Sequence, residues 1–187
     1  MRGRKLLPPP DSQTRPITGF AKKSVFGILT PYIEGAVVLD IYSGTGTLGF
    51  EALSYGAEFV CFAELNRRVI ERLNRNIVEL NAGEQTKIWA GNIESKMAPW
   101  MENLSKDVDV AFVDPPFPDA RKWDWEKITE KVFRPITEKL APDGIVVLRL
   151  PGNVPLPETI GALQCNREKK YGDMLVGFYG LSEKFVK

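Results

Sequence analysis

Apolar residues along this chain fall into two alternating patterns. "AVVLDIY" (36–42), "EFVCFAE" (58–64), "VDVAFVD" (108–114) and "IVVLRL" (145–150) are nearly continuous apolar runs. Their length and β-branched content predict buried parallel strands, with a shorter one at "KIWAG" (87–91). Between them the spacing is helical. Phe20, Val25, Phe26, Ile28 and Leu29 predict a helix over 18–30, where Pro31 disfavours continuation. A helix over 47–55 should stop at Gly56. Val69, Leu73, Ile77 and Leu80 align on one face of "NRRVIERLNRNIVELNAG" (66–83). Further helices are expected over 94–104 and 124–140, with Gly144 opening the next strand. "QCNREKKYG" and "MLVGFYG" read as a closing pair of strands. Regular alternation of strand and helix predicts an α/β sheet wrapped by helices, with ligands at the C-terminal strand ends.

The remaining bulk properties narrow this picture only a little. The 187 residues suit one domain, and 43% hydrophobic with 26% charged residues is ordinary for a globular chain. No apolar stretch approaches the ~20 residues of a membrane helix. Two distant cysteines and no histidine argue against a metal site and for the reduced thiols of a cytoplasm. Net charge is +1, yet residues 1–23 carry Arg2, Arg4, Lys5, Arg15, Lys22 and Lys23 against the single acid Asp11. Residues 1–17 therefore read as an extended basic arm suited to phosphate, and 18–187 as the domain.

Two motifs carry the chemistry. "DIYSGTGTLG" (40–49) holds Gly44, Gly46 and Gly49 in G-x-G-x-x-G spacing after a strand and before a helix. The three glycines with Ser43, Thr45 and Thr47 would leave backbone amides bare at a helix N-terminus, which suits a dinucleotide or another nucleoside cofactor. Glu64 follows Gly44 by 20 residues and could bond ribose hydroxyls in either case. Asp40 separates the two readings. Beside a pyrophosphate its charge would cost about 1 to 4 kcal/mol at ~4 Å, whereas an ammonium or sulfonium would be attracted. The loop thus favours S-adenosylmethionine over NAD. The second motif is Asp114-Pro115-Pro116-Phe117. Its prolines fix a rigid turn, so that Asp114 and the Pro115 carbonyl could accept both hydrogens of a planar amine. Phe117 would stack the base that bears it. In "DARKWDWEK" (119–127), Arg121 and Lys122 are candidates for phosphate, while Trp123 reads as core.

Taken in order, "GRKLLPP", "TRP", "VLDIYSGTGTLGFEALSYGA", "AELN", "DPPF", "APDGIVVL" and "YGDML" resemble the RsmD-type 16S ribosomal RNA guanine-N2 methyltransferases, from about Arg2 to Gly180. The resemblance implies a single-domain, Rossmann-like class I S-adenosylmethionine-dependent methyltransferase fold with a seven-stranded, mostly parallel sheet. It also implies that Asp40, Ser43, Gly44, Gly46 and Glu64 hold the cofactor, that Asn92 and Ile93 flank its adenine, and that residues 114–117 hold the target amine. The partner implied is small-subunit ribosomal RNA, bare or in a protein-bound assembly intermediate, met by a monomer with its basic residues. The chain departs from the family at Gly19, Lys22 and Lys23, where polar and acidic residues are usual, and at Asn92, where aspartate is common. Arg149 stands where members tend to carry an acid and reads as a solvent-facing charge without a role. The start of the chain, almost at "GRKL", predicts a truncated arm. Two other readings share these motifs: a DNA adenine-N6 methyltransferase, and a non-catalytic RNA-binding assembly factor of the same fold.

Overall fold

The computed structural model describes residues 6–8 and 17–181. Five strands run parallel: β1 (Val37–Ile41), β2 (Phe59–Glu64), β3 (Thr86–Ala90), β4 (Val108–Val113) and β5 (Leu140–Pro151). Three more close the sheet, each antiparallel to its neighbour: β8 (Met174–Gly180) beside β5, β7 (Leu163–Tyr171) beside β8 and β6 (Thr159–Ile160) beside β7. The order is β3-β2-β1-β4-β5-β8-β7-β6, so chain direction along the sheet reverses between β1 and β4. A crevice opens at such a switch point, beyond the C-terminal strand ends.

Side chains alternate across the strands, and each face receives its own helices. Val38, Val60, Phe62, Val110 and Phe112 pack against α1 (Gly19–Ile33), α2 (Thr47–Ser54) and α3 (Arg67–Glu79). Leu39, Ile41, Ala63, Ala111 and Val113 pack against α4 (Ile93–Glu102), α5 (Phe117–Ala120), α6 (Trp125–Ile128) and α7 (Arg134–Glu138). No helix among the described residues is long and apolar enough to cross a membrane.

Four expectations need correction. The sheet has eight strands rather than seven, because two-residue β6 folds back on β7 through Gly161 at φ +59°; two residues are too few to show a period. Helix α1 continues through Pro31 to Ile33, where buried Ile33 anchors its last turn. Proline so near a helix end costs one hydrogen bond without breaking the body of the helix. The single helix expected over 124–140 is α6 and α7 joined by a π turn over Thr129–Phe133, and the Arg134 N–H reaches back five residues to the Thr129 carbonyl. Strand β5 starts at Leu140, not Gly144. The glycine instead serves a register shift against β4, since a Cβ there would lie 2.6 Å from the Leu140 side chain and 2.9 Å from the Val108 carbonyl.

Trp123 is half-buried and packs against the core, with its ring edge-on to Trp125 at 5.5 Å and to Phe133 at 6.3 Å. Part of the arm is packed rather than extended: Leu6 lies against the α1–α3 face, and Leu7 donates its N–H to Asn76 Oδ1 at 2.8 Å. The arm residues Arg2, Arg4, Lys5 and Arg15 fall outside the described residues.

Candidate cofactor and target-amine site

The loop between β1 and α2 is built by backbone that few residues adopt. Tyr42, Gly44 and Gly46 all have positive φ, at 63°, 55° and 88°. Glycine takes that conformation freely; tyrosine does so at a cost of order 1–3 kcal/mol, the kind of strain that collects at functional sites. Tyr42 carries no sequence signal, since only its dihedral marks it. The three glycines have different tasks. A Cβ on Gly49 would lie 2.3 Å from the Phe62 ring, so its absence lets α2 sit directly on β2. A Cβ on Gly46 would strike Phe50 and Leu73 within 2.7 Å, whereas Gly44 faces open space.

Asp40 lies on the α1–α3 face of β1 with its side chain beneath the loop, 1% exposed. Its Oδ2 accepts the Gly49 N–H at 2.8 Å, in the first turn of α2. Burial pushes its carboxyl well above the ordinary range, and the neighbouring Asp114 and Glu64 charges add to that, against the Gly49 bond. Glu64, at the end of β2, uses both oxygens: Oε2 accepts the Gly44 N–H at 3.0 Å, and Oε1 accepts those of Leu65 and Asn66 at 2.9 Å. The carboxylate is thereby fixed at the rim of the loop. The Gly91 N–H donates to the Glu64 carbonyl, which brings the next element alongside. There Asn92 caps α4 by accepting the Ser95 N–H, and Ile93 is buried behind it. Thr45 is buried, with its carbonyl accepting from Asn76 Nδ2 at 3.0 Å. Asn76 is itself buried on α3 and also holds both backbone groups of Leu7, so one amide joins the arm to the glycine loop.

The donor set fits a cationic nucleoside cofactor. Ser43 Oγ is the one buried side-chain polar atom among the described residues without a hydrogen-bond partner. The loop amides are less bare than the sequence predicts, since the Ser43 N–H donates to the Ala63 carbonyl, that of Gly44 to Glu64 and that of Gly46 to the Ser43 carbonyl. The Glu64 and Asp114 carboxylates border the crevice, with Asp40 beneath the loop. A pyrophosphate would meet these charges with repulsion.

The Asp114 N–H donates to the Ile41 carbonyl at 3.1 Å, which draws the second motif against the loop at the β1/β4 switch point. Pro115 is buried, and the Pro116 carbonyl is taken up by the Asp119 and Ala120 N–H groups as it opens α5. Burial raises the Asp114 carboxyl, opposed by the Arg149 guanidinium. That partner overturns the sequence expectation for Arg149: it does not face solvent. Arg149 Nε donates to Asp114 Oδ1 at 2.5 Å, and side-chain exposures are 11% and 16%. Parallel pairing of β4 with β5, Val113 opposite Leu148, brings the two residues together from 35 positions apart.

Beside this pair a cleft of about 290 Å³ is lined by Thr18, Phe20, Phe117, Arg149, Lys170 and Tyr171, among others. Tyr171 is therefore at the cleft while also bonding Ser24 Oγ at 2.7 Å. Phe20, 78% exposed, meets the Tyr171 ring edge-on at 6.3 Å. Of the basic candidates, Lys22 is turned inward to an ion pair with Glu51 at 2.7 Å. Lys23, Arg121 and Lys122 are exposed, with Arg121 reaching Asn153.

A parallel sheet reversing at β1/β4, a glycine loop and "DPPF" at that reversal define the class I methyltransferase fold. An Escherichia coli structure provisionally named methyltransferase YhhF superposes with a TM-score of 0.74 at 28% identity, over 95% of this chain and 92% of that one. The family described as Conserved hypothetical protein 95, that of the RsmD-type methyltransferases, matches residues 1–180, and the chain belongs to it. Among curated relatives, a Bacillus subtilis protein provisionally named rRNA methyltransferase YlbH is 29% identical over 95% of this chain and 94% of its own length. Ribosomal RNA small subunit methyltransferase D of Escherichia coli strain K12 is 35% identical over 116 residues, 62% of this chain and 56% of that enzyme.

Proposed function

We propose that this chain methylates the exocyclic N2 amine of a guanine in small-subunit ribosomal RNA, using S-adenosylmethionine. The observation that carries the reading is the bond from the Asp114 N–H to the Ile41 carbonyl, which seats a planar-amine acceptor against a loop suited to a cationic nucleoside. When bound, the cofactor supplies a methyl group on a sulfonium, whose sulfur leaves with the C–S bonding pair. The Thr45 N–H and the Ser43 hydroxyl, with Gly44 leaving room beside them, would bind its methionine end, Glu64 its ribose hydroxyls, and Asn92 and Ile93 the edge of its adenine. Asp40 gives the loop its shape and its negative charge.

Asp114 Oδ2 and the Pro115 carbonyl accept the two amine hydrogens, so that the nitrogen lone pair turns from the ring toward the methyl carbon. Asp114 takes the proton shed as the N–C bond forms. Catalysis of this kind is positioning and electrostatics. Phe117 stacks the target base, which must be unpaired or flipped to enter the cleft. Lys23, Arg121, Lys122 and the arm residues Arg2, Arg4, Lys5 and Arg15 contact phosphate. With a net charge of only +1, attraction to bare RNA is weak. The substrate is accordingly read as a protein-bound assembly intermediate, met by a monomer.

The test is to incubate the protein with methyl-labelled S-adenosylmethionine and, in parallel, ribosomal particles or DNA from a strain lacking the enzyme, then map the labelled nucleotide. Label on a guanine N2 of small-subunit RNA is expected. Label on adenine N6 of DNA, or cofactor binding without transfer to any nucleic acid, would overturn the reading.

A further inference from the structure

We propose that Arg149 is a positioning residue for methyl transfer: it holds Asp114 by one carboxylate oxygen so that the other faces the target amine. The inference rests on the reaction proposed above. Its basis is a set of contacts made by one side chain. Nε bonds Asp114 Oδ1 at 2.5 Å, the guanidinium carbon lies 5.2 Å from the Phe117 ring centre, and NH1 approaches Met174 Sδ at 3.7 Å. The guanidinium thus spans the two parts of "DPPF" that a base would use, the carboxylate and the aromatic face, and ties both to β8. Arg149 also lines the cleft through which the base would arrive.

Bonding at Nε fixes which oxygen is engaged. A carboxylate can turn about its last torsion, but one held through Oδ1 presents Oδ2 in a set direction, and a planar guanidinium sets it more firmly than an ammonium could. Charge adds a second consequence. Asp114 is faced by Arg149 from β5 and by Asp40 from β1, with Glu64 of β2 next to Asp40, while Lys170 and Asp173 border the same cleft. Burial favours a protonated Asp114, which could not accept an amine hydrogen at that oxygen. Arg149 opposes it, by its charge and by its hydrogen bond, and so favours the ionised acceptor.

The experiment compares wild type with Arg149→Met and Arg149→Lys, measuring kcat and KM for ribosomal particles across pH and S-adenosylmethionine affinity by calorimetry. In Arg149→Met, kcat falls about ten- to a hundredfold. The acid limb of its pH profile moves to higher pH, and cofactor affinity stays within about twofold of wild type. Arg149→Lys keeps the charge but not the fork, so its acid limb stays near that of wild type and kcat recovers in part. Should Arg149→Met not fold, Arg149→Lys alone decides, through a reduced kcat at unchanged cofactor affinity. Wild-type kcat and acid limb in Arg149→Met, or wild-type kcat in Arg149→Lys if only that variant folds, would overturn the proposal. A wild-type protein that binds cofactor but methylates nothing would instead overturn the reaction on which it rests.

Discussion

The two carboxylate centres of this site are held in opposite ways. Around the glycine loop, Asp40 and Glu64 bond only backbone N–H groups, those of Gly49, Gly44, Leu65 and Asn66, all within the β1–α2–β2–α3 stretch. At "DPPF", Asp114 is held by a side chain, Arg149, delivered from another strand. The first centre is a property of local chain geometry, whereas the second depends on register between β4 and β5 and on the antiparallel β8 beyond. Backbone-held groups should tolerate surface change and fail only when the carboxylate itself is lost. The side-chain-held group should respond to its partner.

Substitution at Asp40 gives the largest effect expected on the loop. Asp40→Ala leaves the buried Gly49 N–H unpaired, costing about 1–3 kcal/mol in stability. It also removes the counter-charge, weakening S-adenosylmethionine binding about tenfold or more. Asp40→Asn separates these effects, because its amide oxygen can still accept from Gly49. Its sign with pH is defined. A carboxyl raised in the folded state binds protons more tightly than in the unfolded chain, so wild-type stability falls as pH rises from the ordinary carboxylate range toward the folded value. The asparagine variant lacks that slope and is the more stable protein at neutral pH, while binding cofactor less well. Thermal unfolding across pH, paired with calorimetry, checks both.

Asn76 tests how local the loop is, with a smaller effect. Asn76→Ala removes the bond to the Thr45 carbonyl and both bonds to Leu7, for a loss of about 1–3 kcal/mol. If the arm and loop are joined through this amide, cofactor affinity and affinity for ribosomal particles fall together. Cofactor affinity unchanged in a folded variant would leave the loop independent of the arm.

The same contrast explains which features are legible in the amino-acid sequence. The β1 and β4 runs, the loop glycines, Glu64 at a strand end and the Asn66 region opening α3 are all local signals, and each element lies within a few residues of its expected place. Trp123 is legible as a packed side chain only through its large apolar ring and its place near an expected helix start. Arg149 cannot be placed, because one charge in an apolar strand looks the same whether it meets water or a carboxylate 35 residues away. Asp40 is legible as a functional acid, but strand alternation sends it beneath α2 toward Gly49, a contact visible only once the faces of the sheet are known. Tyr42 and the two-residue β6 are set by backbone torsion and a short turn, which leave no pattern in residue type.

The central claim is that Asp114 accepts the target amine. It is tested most directly by single-turnover transfer of labelled methyl to ribosomal particles by Asp114→Ala, with cofactor binding measured on the same preparation. The account predicts intact S-adenosylmethionine binding and a transfer rate reduced by about a thousandfold, as when a positioned acid–base and orienting group is removed. Transfer at the wild-type rate by a folded, cofactor-binding Asp114→Ala protein would contradict it.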